Sequence, residues 1–170
     1  GSNIEPVVFT KSYNSNKAEL DIHTNILRNT IECFSAVLGG ADTIELSYFN
    51  DTGKHNIDSY TQRLTRNIQI LLQEEFNLTD VLDPAAGSFY IESLTDDLVV
   101  KSWNLFLKIE KNGGFLNSIK NSEIQNQIIE VANKRLENLS SRKDILIGVN
   151  KYPNMKDEIH TLTQSSNEKE

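Results

Sequence analysis

The stretch Asp83-Pro84-Ala85-Ala86-Gly87-Ser88 is the part of this chain best placed to do chemistry. It follows a short apolar run and precedes a helical pattern, which puts it at the C-terminal end of a strand. Ligands bind on that side in α/β folds. The same spacing also suits a plain turn between strand and helix. The other reactive residues are scattered. His23, His55 and His160 have no second ligand at helical or hairpin spacing, so a metal centre is not expected. Cys33 is the only cysteine, and it stands in Ile31-Glu32-Cys33-Phe34 on a helical pattern. No basic group is placed to lower its pKa, so it reads as a small buried hydrophobe. Arg63, Arg66, Asn67 and Gln69 form a polar helix face. No Ser/His/Asp or Cys/His arrangement and no glycine-rich phosphate loop is visible.

Composition narrows the classes further. The chain has 170 residues, enough for one core, with a net charge of −7. Nucleic acid calls for clustered Lys and Arg, so it is not an expected partner. No apolar run approaches the roughly 20 residues of a membrane helix. The start, Gly1-Ser2-Asn3-Ile4-Glu5-Pro6, lacks the basic and apolar regions of a signal peptide, and Gly1-Ser2 reads as a cloning remnant. A cytoplasmic location is expected.

The elements that must position these residues alternate in type. Pro6-Val7-Val8-Phe9-Thr10-Lys11 reads as a strand. A helix is expected over 21–38, with Leu27, Ile31, Phe34 and Leu38 inward and Gly39-Gly40 as its stop. Thr43-Ile44-Glu45-Leu46-Ser47-Tyr48-Phe49 is a second strand, followed by a polar loop over 50–59. Ser59-Tyr60-Thr61-Gln62 has the form of a capping box, opening a helix with Leu64, Ile68, Leu71 and Leu72 inward. Asp80-Val81-Leu82-Asp83 is a third strand candidate. A third helix is expected from Thr95, with Asp96 and Asp97 in its first turn, carrying Leu98, Phe106 and Ile109 to Asn112-Gly113-Gly114. Ser122-Glu123-Ile124-Gln125 is another capping box; the helix it opens presents Ile128, Val131 and Leu139. Ile145-Leu146-Ile147-Gly148-Val149 is the last strand-like run, and the chain is polar from 154 on. Strands separated by helices indicate a parallel sheet. The pattern fits either a small open α/β domain or part of a (β/α)8 barrel.

Several stretches, in order, resemble the methylmalonyl-CoA mutase family. They are Asn25-Ile26-Leu27-Arg28-Asn29-Thr30, Phe34-Ser35-Ala36-Val37-Leu38-Gly39-Gly40-Ala41-Asp42, and Arg63-Leu64-Thr65-Arg66-Asn67-Ile68-Gln69 with Leu72-Gln73-Glu74-Glu75. The most specific is Asp83-Pro84-Ala85-Ala86-Gly87-Ser88-Phe89-Tyr90-Ile91-Glu92-Ser93-Leu94-Thr95; Trp103, Gly113-Gly114 and Gly148-Val149-Asn150-Lys151-Tyr152 complete the likeness over about residues 7–153. The resemblance implies a (β/α)8 barrel around a CoA ester. It also implies adenosylcobalamin-dependent interconversion of methylmalonyl-CoA and succinyl-CoA, and a separate cobalamin domain with an Asp-x-His-x-x-Gly ligand motif. Asp21-Ile22-His23 begins like that motif, but Ile26 stands where glycine belongs.

Two departures set the expectation for this chain. Catalytic subunits of the family carry a Gln-Thr-Ser-Gly-like stretch where this one reads Thr10-Lys11-Ser12-Tyr13. They carry a His-Thr-Asn-Ala-Phe-Asp-Glu-like stretch where this one reads Glu45-Leu46-Ser47-Tyr48-Phe49-Asn50-Asp51. A ligand facing such a site would leave polar groups unpaired. The expected fold is therefore α/β: a partial (β/α)8 barrel of three to four parallel strands with covering helices. It would fill residues 1–152, with 153–170 a polar tail or truncated linker. The expected role is that of the non-catalytic small subunit, in a heterodimer with the catalytic subunit. Barrel-mouth positions for substrate are Thr10, Lys11, Ser47, Gly87 and Ser88. No catalytic residue, metal ligand or cofactor is expected on the chain itself, adenosylcobalamin belonging to the parent enzyme. Self-association of the isolated chain is expected. The alternatives are a fragment of a catalytic acyl-CoA mutase chain and a stand-alone acidic α/β binding module.

Overall fold

The computed structural model describes residues 6–51 and 57–157. The first strand, β1 (Phe9–Lys11), pairs in parallel with β2 (Thr43–Glu45) in the register Phe9↔Thr43, Thr10↔Ile44, Lys11↔Glu45. Asp42 fixes the entry to this ladder, because its carboxylate accepts from Val8 N–H at 2.8 Å. Parallel strands need a long crossover, and α1 (Thr24–Leu38) supplies it. Gly39 caps that helix as expected, and Gly40 follows with φ +73°, where a side chain would strain the backbone.

Helix α2 (Ser59–Glu74) packs on α1. The core is the cluster of Cys33, Leu46, Ile68 and Leu72, extended by Ile26, Ile44 and Leu78. The face α1 buries is Asn25, Asn29 and Cys33 rather than the expected apolar stripe. Leu27 and Ile31 are 68% and 63% exposed, and Phe34 is exposed as well. Two positions along a helix turn about 200°, so the stripe lies nearly opposite the packed face. Periodicity located an apolar flank correctly but not which flank this chain covers. On α2, Ile68 and Leu72 are buried as expected, whereas Leu71 is exposed. Its N-cap is Asp58, not Ser59: the Asp58 carboxylate accepts from Thr61 N–H at 2.8 Å.

The second half is helical: α3 (Phe89–Lys111), α4 (Phe115–Lys120) and α5 (Glu123–Ser140). The expected third helix begins six residues early, at Phe89 rather than Thr95, directly after the turn at Gly87. Glu92, not Asp96, is its first-turn acid. Neither α3 nor α5 has a buried residue, so Leu98, Phe106, Ile128 and Val131 are exposed. Ser122 precedes α5 in a left-handed conformation with no side-chain cap, so the second expected capping box does not form.

Two expected strands are absent from the described residues. Residues 80–83 form no ladder; Asp80 N–H turns back to Asn77 O, Ala86 N–H turns back to Asp83 O, and Leu82 is fully exposed. A strand needs a partner, and none lies beside this segment. Over 145–149 only a single bridge, Ile147 with Lys151, remains. The run turns back on itself: Asn150 Oδ1 accepts from Leu146 N–H at 2.8 Å, Asn150 N–H and Val149 N–H donate to Leu146 O, and Asn150 Nδ2 donates to Asp144 O and Leu139 O. Leu146, at least, spends both its backbone groups locally. The sheet of the described residues thus has two strands, not three or four.

Candidate functional site

Because β1 and β2 are parallel, both chains leave the sheet on the same side, and their next residues meet there. Ser12 N–H extends the ladder by donating to Glu45 O at 2.9 Å. Ser12 Oγ lies 2.9 Å from Ser47 Oγ and accepts from Ser47 N–H at 2.6 Å. Lys11 pairs across the register with Glu45 at 2.6 Å, and both side chains are half exposed. Its hydrogen bond to Glu45, with the attraction between their charges, raises the Lys11 pKa. Thr10 Oγ1 donates to Thr43 O at 3.3 Å.

Two asparagines of α1, each 0% exposed, hold the loops beyond the strand ends. Asn29 Nδ2 donates to Ser47 O at 2.8 Å. Asn25 Nδ2 donates to Ala18 O and Phe49 O, at 2.8 and 2.9 Å, and Asn25 Oδ1 accepts from Ala18 N–H and Arg28 Nη1. All four hydrogen-bonding positions of that amide are used. Beside them Lys17, its side chain 1% exposed, reaches both Glu32 carboxylate oxygens at 2.7 Å. Asn16 donates to the same carboxylate.

Of the five positions expected at a barrel mouth, the structure brings Thr10, Lys11 and Ser47 to one edge, Thr10 and Lys11 lining a cleft of about 300 Å³ with Ser12, Tyr13, Ile31 and Ser35. Gly87 and Ser88 form their bonds locally. Gly87 has φ +76° and donates to Glu92 Oε1 at 3.2 Å; Ser88 N–H donates to Ala85 O. Ser12, Asn25 and Asn29 were missed as site residues. A polar residue recurring every four positions along one helix face was the available signal.

The chemistry this edge can perform is limited by how its groups are used. Ser12 and Ser47 bond each other, with no imidazole or carboxylate hydrogen-bonded to either among the described residues. Lys11 is held by Glu45. Cys33 is 2% exposed, and burial pushes its thiol pKa up, away from the reactive thiolate. No group of three potential metal ligands occurs among the described residues. His55 and His160 lie outside them. His23 precedes α1 with its ring 5.6 Å from that of Phe49. Ile26, in the place of the ligand motif's glycine, is helical and packs against the core cluster. The residues here therefore do not fit a cobalamin lower-ligand site. Arg63, Arg66 and Asn67 are exposed on α2, a solvated polar face.

Comparison with known proteins gives a consistent picture. Residues 5–170 match the methylmalonyl-CoA mutase family. The methylmalonyl-CoA mutase small subunit of Porphyromonas gingivalis is 38% identical over 139 residues, covering 82% of this chain and 22% of that protein. The methylmalonyl-CoA mutase of Rhizobium meliloti is 37% identical over 134 residues, covering 79% and 19%. That of Escherichia coli is 37% identical over 135 residues, again covering 79% and 19%. The chain spans about a fifth of the length of the curated relatives it matches.

Proposed function

This chain belongs to the methylmalonyl-CoA mutase family, and we propose that it is the C-terminal part of a substrate-type (β/α)8 barrel in a non-catalytic small subunit. The parent complex would interconvert methylmalonyl-CoA and succinyl-CoA, with adenosylcobalamin held elsewhere, as a cytoplasmic heterodimer with a catalytic subunit. Thr10, Lys11, Ser47, Gly87 and Ser88 would line the barrel mouth.

One observation carries the structural reading. The polar groups at the strand ends bond to one another: Ser12 to Ser47, Lys11 to Glu45, Thr10 to Thr43 O. A site built for a charged ester leaves donors free for the ligand; this one closes on itself. The barrel reading draws on α1. Its Cys33 flank is covered by α2, while on the opposite flank Leu27 and Ile31 stay mostly exposed in a cleft beside Ile145, Leu146 and Ile147. A preceding strand-helix unit of a barrel would cover that flank.

The test is made in the assembled parent enzyme. Ser47→Ala and Lys11→Met in this subunit should each leave turnover within about twofold, the behaviour of groups outside the reacting centre. A loss of about a hundredfold or more, with the complex intact, would establish a catalytic or substrate role instead. The chain alone should leave the visible spectrum of adenosylcobalamin unchanged; saturable micromolar binding would refute the assignment.

A further inference from the structure

The loop at 145–157 is seated on the N-terminal end of α1. Gly148 is buried there with φ +82°, so close to Asp21 that a Cβ on it would stand 2.7 Å from Asp21 Cβ. Asp21 N–H donates to the Asp157 carboxylate. Ile147 O accepts from Arg28 Nη2 at 2.6 Å. The same guanidinium donates through Nη1 to Asn25 Oδ1 at 2.7 Å and to Thr24 Oγ1 at 2.9 Å. Asn25 in turn holds Ala18, beyond β1, and Phe49, beyond β2. One guanidinium therefore joins the C-terminal loop to the amide that fixes both strand-end loops.

We propose that residues 145–157 form a strap whose seating, relayed through Arg28 to Asn25, holds the loops after β1 and β2 in place. Releasing the strap loosens those loops and leaves the α1–α2 core closed. The arrangement has the form of a relay. The strap has its own internal staple, Asn150, which bonds Leu146 N–H, Leu139 O and Asp144 O and makes no hydrogen bond to α1. The core of Cys33, Leu46, Ile68 and Leu72 includes neither the strap nor Arg28. Strap, relay and core can therefore be perturbed separately.

Peptide-resolved amide hydrogen exchange on the whole 170-residue chain tests this with two substitutions. Asn150→Ala loosens the strap from within, remote from the strand ends. Exchange should then rise by about tenfold or more over 145–151 and also over 46–51 and 14–20, while 64–73 keeps its wild-type protection. Arg28→Met cuts the relay itself and should raise exchange over 46–51 and 14–20 with 64–73 again unchanged. If Asn150→Ala frees 145–151 while 46–51 and 14–20 exchange as before, the coupling does not exist. A uniform rise that includes 64–73 would equally overturn it, because the strap would then be ordinary global stability. Should Arg28→Met fail to fold, the outcome with Asn150→Ala decides alone.

Discussion

Two glycines offer a matched pair in which a single methyl group separates backbone strain from packing. Gly148 and Gly87 have nearly the same φ, +82° and +76°. Alanine at either must adopt the left-handed region, which costs about 1 kcal/mol. Around Gly87 there is open space within 4 Å, so Gly87→Ala should cost about that and no more. At Gly148 the added Cβ would meet Asp21 Cβ at 2.7 Å, Oδ2 at 2.9 Å and Cγ at 3.3 Å. Comfortable carbon contacts lie at about 3.5–4.0 Å, so the shortfall is close to an ångström. The Asp21 carboxylate can swing aside, but its Cβ is set by a backbone with φ +47° whose N–H is bonded to Asp157. Overpacking of this kind adds about 1–3 kcal/mol, giving roughly 2–4 kcal/mol in all for Gly148→Ala. For a chain of this size each kcal/mol moves Tm by about 2–4 °C. Gly148→Ala should therefore melt about 5–15 °C below the parent, and Gly87→Ala about 2–4 °C below. Thermal unfolding followed by circular dichroism reads both. Equal shifts for the two variants would refute the packing of the strap against Asp21.

Three further outcomes follow from other contacts. Asn25→Ala strands Ala18 N–H, Ala18 O and Phe49 O away from their partner and should cost about 2–4 kcal/mol by urea unfolding, whereas Asn29→Ala loses one donated bond and should cost about 1 kcal/mol; the reverse order would disprove the ranking. The Asp58 carboxyl is held below its usual pKa by accepting from Thr61 N–H, so its capping contribution is present above the ordinary carboxylate range and lost as pH falls through the folded value. Asp58→Ala should thus lower Tm at pH 7, with the gap narrowing below about pH 4; a gap constant down to pH 3 would contradict the cap. The isolated chain should self-associate in sedimentation at rising concentration, since its two-stranded sheet has open edges and α3 exposes Leu98, Val99, Trp103 and Phe106; a compact monomer throughout would favour a stand-alone module.

Legibility in the sequence followed the range of the interactions concerned. Helix ends marked by local chemistry were readable: Gly39-Gly40 stops α1 and Gly113-Gly114 follows α3, both with backbone conformations that glycine tolerates. The first two strands were readable because β-branched runs flank a helix of crossover length. The runs at 80–83 and 145–149 have equally suitable residues and are not strands, since a strand is defined by its neighbour. The asparagine face of α1 escaped notice because apolar periodicity looks for hydrophobes, and this helix buries two amides instead. Their amide groups donate to loop carbonyls, Ala18 O seven residues away but Phe49 O and Ser47 O 24 and 18 residues on, and those longer pairings lie beyond a local window.

The distribution of apolar surface gives the described residues a direction. The buried cluster is confined to α1, α2 and Leu46 just past β2, in the first half of the chain. Beyond it, α3 carries Leu94, Leu98, Val99, Val100, Trp103, Leu105, Phe106 and Leu107, and every one of them is exposed. Counted by helical angle, these side chains span about two thirds of the circumference, leaving a polar stripe of Asp97, Lys101, Asn104 and Lys108, and so broad an apolar face is one that other structure covers. The flank of α1 bearing Leu27 and Ile31 makes the same demand on one side. The two-stranded parallel sheet of the described residues makes it too, since parallel sheets occur almost only with both faces covered. Three independent surfaces thus call for covering structure, and the relatives are about four times as long. The polar edge makes no such demand. Ser12, Ser47, Lys11 and Glu45 are already paired among themselves. The described residues thus leave apolar surface, not polar groups, in want of partners.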